Sequence, residues 1–252
     1  MLSFMNLRTC YFQLFMSGHS KWSKVKHQKA TTDVAKAAAF TRATRGISIA
    51  VKEGGGVTDP DANFHLRLAI EKARSVNMPK ENIERAIAKA KGGEGESINQ
   101  VVYEAYGPFG VAFYIETATN NTNRTVSYLK QVLEHVGGSM ARPGAVSYLF
   151  SRRGVILIPK TIPYDMMMSY ALDVGAEDVS EKEDVYEVYT APDGLFAVKS
   201  TLEEKNVHIQ SCSLVMQAIN ERVLSDQEQD DIDALIERIE ESDDVQRVYT
   251  NI

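Results

Sequence analysis

The chain has 252 residues, 44% of them hydrophobic and 25% charged, with a net charge of -6 and two cysteines, Cys10 and Cys212. That length suffices for a buried core and for two or three domains. Two widely separated cysteines exclude a disulfide framework and a cysteine-built zinc site, and no apolar run is long enough to span a membrane as a helix.

Residues 1–15, MLSFMNLRTCYFQLF, hold one cation and no acid. They match neither a secretory signal nor a transit peptide, and are expected to be a disordered extension ahead of a start at Met16. From Ser17 to Lys52 the chain carries eight Lys or Arg and one acid, Asp33. Ser17 or Ser20 is placed to cap a short helix through Trp22, Val25 and Lys29. A helix is expected from Asp33, with Phe40, Thr44, Ile47 and Val51 as its apolar stripe and Gly54–Gly56 as its stop, read as a flexible hinge. Asp59-Pro60 predicts the start of another helix, with Leu66, Ala69, Ile70, Ala73 and Val76 inside. Pro79 opens one more, ended by Gly92-Gly93.

After Gly95 the pattern changes. Val101–Tyr106 and Val111–Thr117, joined by Gly107-Pro-Phe-Gly110, predict a hairpin. A helix from Asn121 to His135 and a strand over Val146–Phe150 follow. Then come a strand at Val155–Ile158, a helix at Tyr164–Val174, a strand at Asp184–Thr190, a helix at Leu195–Lys205 and a strand at Val207–Ala218. Met166, Met167 and Met168 predict helix core with one Met exposed. An amphipathic helix over Asp226–Glu240 and a strand over Val245–Tyr249 end the chain.

The expected fold class is α+β: a basic all-helical domain (17–95), then two ferredoxin-like α/β domains. The second (152–221) is inserted in the first (96–151 and 222–252).

Charge divides along this plan. Residues 17–91 have a net charge of +8 and residues 92–252 a net of -15. A cationic domain on an acidic molecule predicts a directional polyanion contact led by the first domain.

Several short motifs together resemble the YebC/PmpR family: Gly18-His-Ser-Lys-Trp22, Lys26-His-Gln-Lys29, Phe40-Thr-Arg42, Asn77-Met-Pro-Lys80 with Asn82-Ile-Glu-Arg-Ala-Ile87, Tyr103-Glu-Ala-Tyr-Gly107, Asn121-Thr-Asn-Arg-Thr125 and Gly175-Ala-Glu-Asp178. The resemblance runs over essentially the whole chain after Met16. It implies the nested three-domain plan and a cytoplasmic, non-enzymatic protein. It also implies either a transcriptional regulator that binds DNA or a ribosome-associated translation factor that relieves stalls; the family includes mitochondrial translational activators. The chain departs from the family at Gln28, at Lys36-Ala-Ala38 and at Asn120, and lacks two cations of the usual surface.

Lys21, Lys24, Lys26, Lys29, Lys36, Arg42 and Arg45 are the candidate phosphate contacts, since ammonium groups act as point charges and guanidinium groups grip bidentately. A solvated helix face is the plainer alternative. Trp22 has two readings, stacking on an unpaired base or anchoring its helix. His19 and His27 lack partner ligands at metal-binding spacing and suit phosphate or backbone hydrogen bonds. Asn121 and Arg124 stand where a strand meets a helix. They are read either as a cap or as a second nucleic-acid contact. Glu177-Asp178 reads as a solvated turn.

No nucleophile–base pair, metal cluster or cofactor fingerprint is present, so no enzyme activity, cofactor, small-molecule substrate or membrane partner is expected. The expected partner is nucleic acid, DNA or ribosomal RNA. A protein-interaction scaffold whose basic helices meet an acidic partner is the third alternative. No helix-turn-helix with a distinct recognition helix is visible, which counts against sequence-specific duplex readout.

Overall fold

The structure, a computed structural model, describes residues 33–92 and 98–252. The expected short helix around Trp22 and the extension 1–15 lie outside the described residues.

Three helices come first: α1 (Asp33–Glu53), α2 (Phe64–Ser75) and α3 (Lys80–Gly92). Ala43, Ile47, Ala50 and Val51 of α1 close on Leu66, Ile70 and Ala73 of α2 and on Ile83 and Ala86 of α3. The small alanines let the three axes approach, so the apolar stripe read from the sequence is the core face.

α2 begins at Phe64, four residues past the expected start. Asn63 takes the N-cap position and accepts from the Leu66 N–H at 3.0 Å. Its amide also donates to the Ala50 and Val57 carbonyls, both at 2.9 Å. A Cβ on Gly54 would sit 2.1 Å from Asn63 Nδ2. The triple glycine is therefore a tight turn built around a buried asparagine, and only a residue without a side chain fits at its first position.

The remaining elements are β1 (Asn99–Tyr106), β2 (Ala112–Thr119), α4 (Thr122–His135), β3 (Ser139–Met140), β4 (Phe150–Pro159), α5 (Tyr164–Asp173), β5 (Asp178–Glu181), β6 (Val185–Thr190), α6 (Leu195–Glu204), β7 (Ser211–Ala218), α7 (Asp226–Glu240) and β8 (Val245–Thr250). They form two four-stranded antiparallel sheets, ordered β3-β1-β2-β8 and β5-β6-β4-β7. The fold class is thus α+β, a helical region followed by two strand-containing units. The second sheet has the ferredoxin-like arrangement: strand, helix, two strands, helix, strand. The first sheet takes β1, β2 and β3 from before the second and β8 from after it.

Two strand readings change. Val146–Phe150 is not a strand of the first sheet; Ser147–Leu149 is a 3-10 turn, and the short β3 fills that edge. The expected strand at Val155–Ile158 starts at Phe150 and runs unbroken through Gly154. Gly154 lies under α6, where a Cβ would meet Thr190 Oγ1 at 2.2 Å and Leu195 Cδ1 at 3.0 Å. It marks a close approach rather than a break. The short strand β5 also went unread, because Asp178–Glu181 has almost no apolar signal.

α4 and α7 cover one face of the first sheet, burying Leu129, Leu133, Ile232 and Ile236 against Phe113, Ile115 and Val248. α7 starts with a reciprocal Ser225–Glu228 capping box. In the second unit Met167 is fully buried and Met166 is exposed. Phe64 at the head of α2 packs edge-on to Phe196 of α6 at 4.9 Å, and Arg67 stacks on that ring at 4.7 Å. The helical domain therefore touches both α/β units.

Candidate nucleic-acid interface

Lys21, Trp22, Lys24, Lys26, His27 and Lys29 lie outside the described residues. Of the other candidates, Lys36 is exposed, with its ammonium 5.7 Å from the centre of the Phe40 ring. Arg42 and Arg45 are partly buried, and Arg124 is exposed but paired. Arg42 Nη1 donates to the Glu240 carbonyl at 3.0 Å. Arg45 Nη1 donates to the Asp243 carbonyl at 2.6 Å and to Asp244 Oδ1 at 2.8 Å. Arg124 Nη2 reaches both Asp244 oxygens, at 2.8 and 2.9 Å, and also Asn120 Oδ1 at 3.0 Å. Asn121 caps α4 by accepting from the Arg124 N–H at 3.0 Å.

The structure therefore brings Arg45 and Arg124 together on one carboxylate. Burial alone would raise the Asp244 pKa. Hydrogen bonds from Arg124 and Thr125, with the charges of Arg124 and Arg45, outweigh burial and hold it below the usual carboxylate range. These guanidinium groups join α1, α4 and the α7–β8 corner.

Other cations of the helical domain point to solvent: Lys52 at the end of α1, Arg74 on α2, and Arg85, Lys89 and Lys91 on α3. The alternation of α3, with Ile83 and Ala86 inward, already places Arg85 and Lys89 outward. Together with Lys36 they keep the domain's surface cationic although two of its arginines are engaged.

Behind the Asp244 corner, α1 and α2 meet the uncovered face of the first sheet. Glu116 on β2 lies directly opposite Arg247 on β8, and a bulge beside Glu116 leaves Gln246 without a strand partner. Lys72 donates to the Gln246 carbonyl at 3.4 Å. Desolvation first, then the charge of Arg247, pulls the Lys72 pKa down to about 7. Burial pushes Glu240 up to about 7 against the opposing charges of Arg42 and Lys72. Sequence reading missed this cluster. Its one signal was Arg247, a charge alternating with Tyr249 on one face of a buried strand.

A second buried carboxylate, Glu104, holds the loop after β3. It accepts from the backbone N–H groups of Gly144 at 2.7 Å, Val146 at 2.5 Å and Ser147 at 3.1 Å. Burial opposes ionisation here, but these backbone donors prevail and lower the Glu104 pKa. Glu177 pairs with Arg153 at 3.1 Å, and Asp178 begins β5. Among the described residues no group of three or more His, Cys, Asp or Glu could hold a metal ion, and no helix is long and apolar enough to cross a membrane.

Residues 20–93 match the family model described as the TACO1/YebC protein N-terminal domain, and residues 98–252 match that of the TACO1/YebC second and third domain. A "probable transcriptional regulatory protein" of Trichlorobacter lovleyi is 43% identical over 237 residues, covering 94% of this chain and 95% of its own length. Another of that name, from Pseudothermotoga lettingae, is 42% identical, covering 94% and 93%. The crystal structure of a conserved hypothetical protein, Aq1575 from Aquifex aeolicus, superposes with a TM-score of 0.80 at 40% identity, covering 91% of this chain and 95% of that one.

Proposed function

Since the chain belongs to the TACO1/YebC family, whose relatives are named as transcriptional regulators, we propose that it is a cytoplasmic, non-enzymatic regulator of gene expression that binds DNA through its helical domain. The carrying observation is charge placement: +8 over residues 17–91 against -15 over residues 92–252. The contacts are assigned to Lys21, Lys24, Lys26, Lys29 and Lys36, with Trp22 and His27 beside them. The exposed cations of α3 add to the domain's positive charge. Arg42 and Arg45 support it by fixing the helical domain to the α7–β8 corner, and Arg124, whose helix Asn121 caps, holds the same Asp244 carboxylate from the other side.

Phosphate contacts of this kind release counterions, so log K should fall with log salt at roughly -0.9 per phosphate neutralised. Filter binding at low salt tests the surface. Lys24→Glu with Lys29→Glu should weaken binding and flatten the salt slope while thermal stability holds. Unchanged binding would remove this surface from consideration.

A second reading, a translation factor on ribosomal RNA, draws on the same asymmetry: a basic domain suits RNA while acidic α/β units suit basic ribosomal proteins. Sedimentation of DNase-treated lysate through sucrose separates the two. Co-migration with ribosomes that is lost after mild RNase favours translation. Protein at the top of the gradient, with DNA association in untreated lysate, favours transcription.

A further inference from the structure

The joint between the helical domain and the first sheet is not closed. A cavity of about 160 Å³ remains there, lined by Arg42, Gly46, Lys72, Glu116, Gln246 and Arg247 among others. Three cations from three elements line it: Arg42 on α1, Lys72 on α2 and, on β8, Arg247, whose Nη1 also donates to the Leu214 carbonyl and to the Tyr249 hydroxyl. Two carboxylates act on them, Glu116 on β2 and Glu240 on α7. Glu53 and His65, 3.7 Å apart and each about two-fifths exposed, stand at the mouth. The inner group is thus one positive charge in excess when all its members are ionised.

A second observation is independent of charge. Gln246 Nε2 is buried and, among the described residues, has no hydrogen-bond partner. A buried amide donor without an acceptor costs roughly 1–3 kcal/mol. The bulge that frees Gln246 from the ladder delivers its side chain to the cavity wall beside Gly46, where Gln246 Oε1 stands in ordinary van der Waals contact, 3.8 Å from the position of a Cβ. The unmet requirement of the site is a compact acceptor bearing negative charge. A cavity near 150 Å³ accommodates a benzene-sized guest, so a tetrahedral oxyanion fits.

We propose that this cleft binds a small tetrahedral oxyanion, phosphate either free or as the terminal group of a nucleotide, through Lys72, Arg42, Arg247 and Gln246. The bound anion ties α1 and α2 to β2 and β8 and stiffens the joint between the helical domain and the first sheet. The inference stands apart from the nucleic-acid reading, because Lys72, Arg247 and Gln246 are not among its candidate contacts and Arg42 is the one residue the two share. Glu240, Glu116 and Glu53 oppose the anion, and Arg247 and Arg42 oppose a charged Lys72. Binding therefore draws a proton onto Lys72 or Glu240.

Calorimetric titration of the full chain at pH 7 tests this, with chloride holding the ionic strength. Sulfate, which does not titrate there, reports the proton count from two buffers of different ionisation enthalpy. The expected result is saturable one-to-one binding with uptake of about half a proton, as a group with a pKa near the working pH gives. Lys72→Met replaces a desolvated ammonium with an apolar chain of similar length and keeps the fold. It should weaken binding about tenfold or more, as loss of a charge-assisted contact does. Gln246→Leu should weaken it several-fold, as loss of a single hydrogen bond to a charged ligand does. Inorganic phosphate and uridine 5′-monophosphate then separate the sources: tighter nucleotide binding assigns a phosphate ester, and equal or weaker binding assigns the free ion. No saturable binding of any of the three anions, or equal affinity in wild type and Lys72→Met, overturns the proposal.

Discussion

Arg45 on α1 and Arg124 on α4 hold the same carboxylate, Asp244, each with a nitrogen 2.8 Å from Oδ1. The Asp244 side chain is only 4% exposed. Removing it strands two guanidinium groups at a domain joint. Breaking a buried pair by deleting one partner costs roughly 3–5 kcal/mol. Asp244→Ala should lower unfolding stability by about 3 kcal/mol on that basis and raise protease sensitivity between α1 and β1. Urea denaturation and limited trypsinolysis check this.

Asp244 and Glu104 both have pKa values held below the ordinary range. A depressed carboxylate contributes stability that is complete above its unfolded pKa, near 4, and is lost as pH falls through the folded value. Stability should therefore drop below about pH 4. Glu104→Gln, which keeps the shape but loses the charge that receives three backbone N–H groups, should shrink that acid-dependent drop. Its own cost at neutral pH should be about 2 kcal/mol. Denaturant midpoints from pH 3 to 6 decide it.

Lys72 and Glu240 give a pH dependence of opposite signs. With Lys72 lowered from 10.5 to about 7, the unfolded chain binds more protons between those values, so stability rises with pH there. With Glu240 raised from 4.5 to about 7, the folded chain binds more protons between those values, so stability falls as pH rises towards 7. Together these two groups place a local minimum of stability near neutrality. Lys72→Met should abolish the rise above pH 7 and leave the acid side in place. Denaturation from pH 5 to 10 in chloride measures both limbs.

Cys212 is buried, and its Sγ donates to Glu71 Oε2 at 3.0 Å while Lys199 holds the other oxygen at 2.5 Å. Burial, then the Glu71 hydrogen bond and charge, pushes this thiol up to about 12. The thiolate is the reactive form. In a Cys10→Ser background, native protein should show negligible reaction with a colorimetric disulfide reagent at pH 8, and one thiol per chain should react in denaturant. Rapid native labelling would contradict the buried geometry.

Gly154→Ala should destabilise the second unit by about 1–3 kcal/mol, the usual cost of overpacking. A Cβ there meets Thr190 Oγ1 at 2.2 Å. Thermal unfolding of this variant beside Gly154→Ala/Thr190→Ala tests the cause, since the second substitution should recover part of the loss.

Periodicity alone determined much of this protein. The stripe through Ile47 and Val51, the α7 set from Ile232 to Ile239 and the β1–β2 hairpin were legible because each buries one face, and one face leaves a repeating mark. The charge split was equally plain, and so were the family motifs. The tertiary structure decided what repetition does not encode. A two-residue strand such as β3 has no period, and Gly154 looks like a break until α6 lies across it. In a linear chain Arg42, Arg45 and Arg124 read as free cations. Their acceptors, Glu240, Asp243 and Asp244, lie more than a hundred residues away, and electrostatic pairing depends on distance in space. The cluster around Lys72 exists only because α1 and α2 close over one face of a sheet and take its charges out of water.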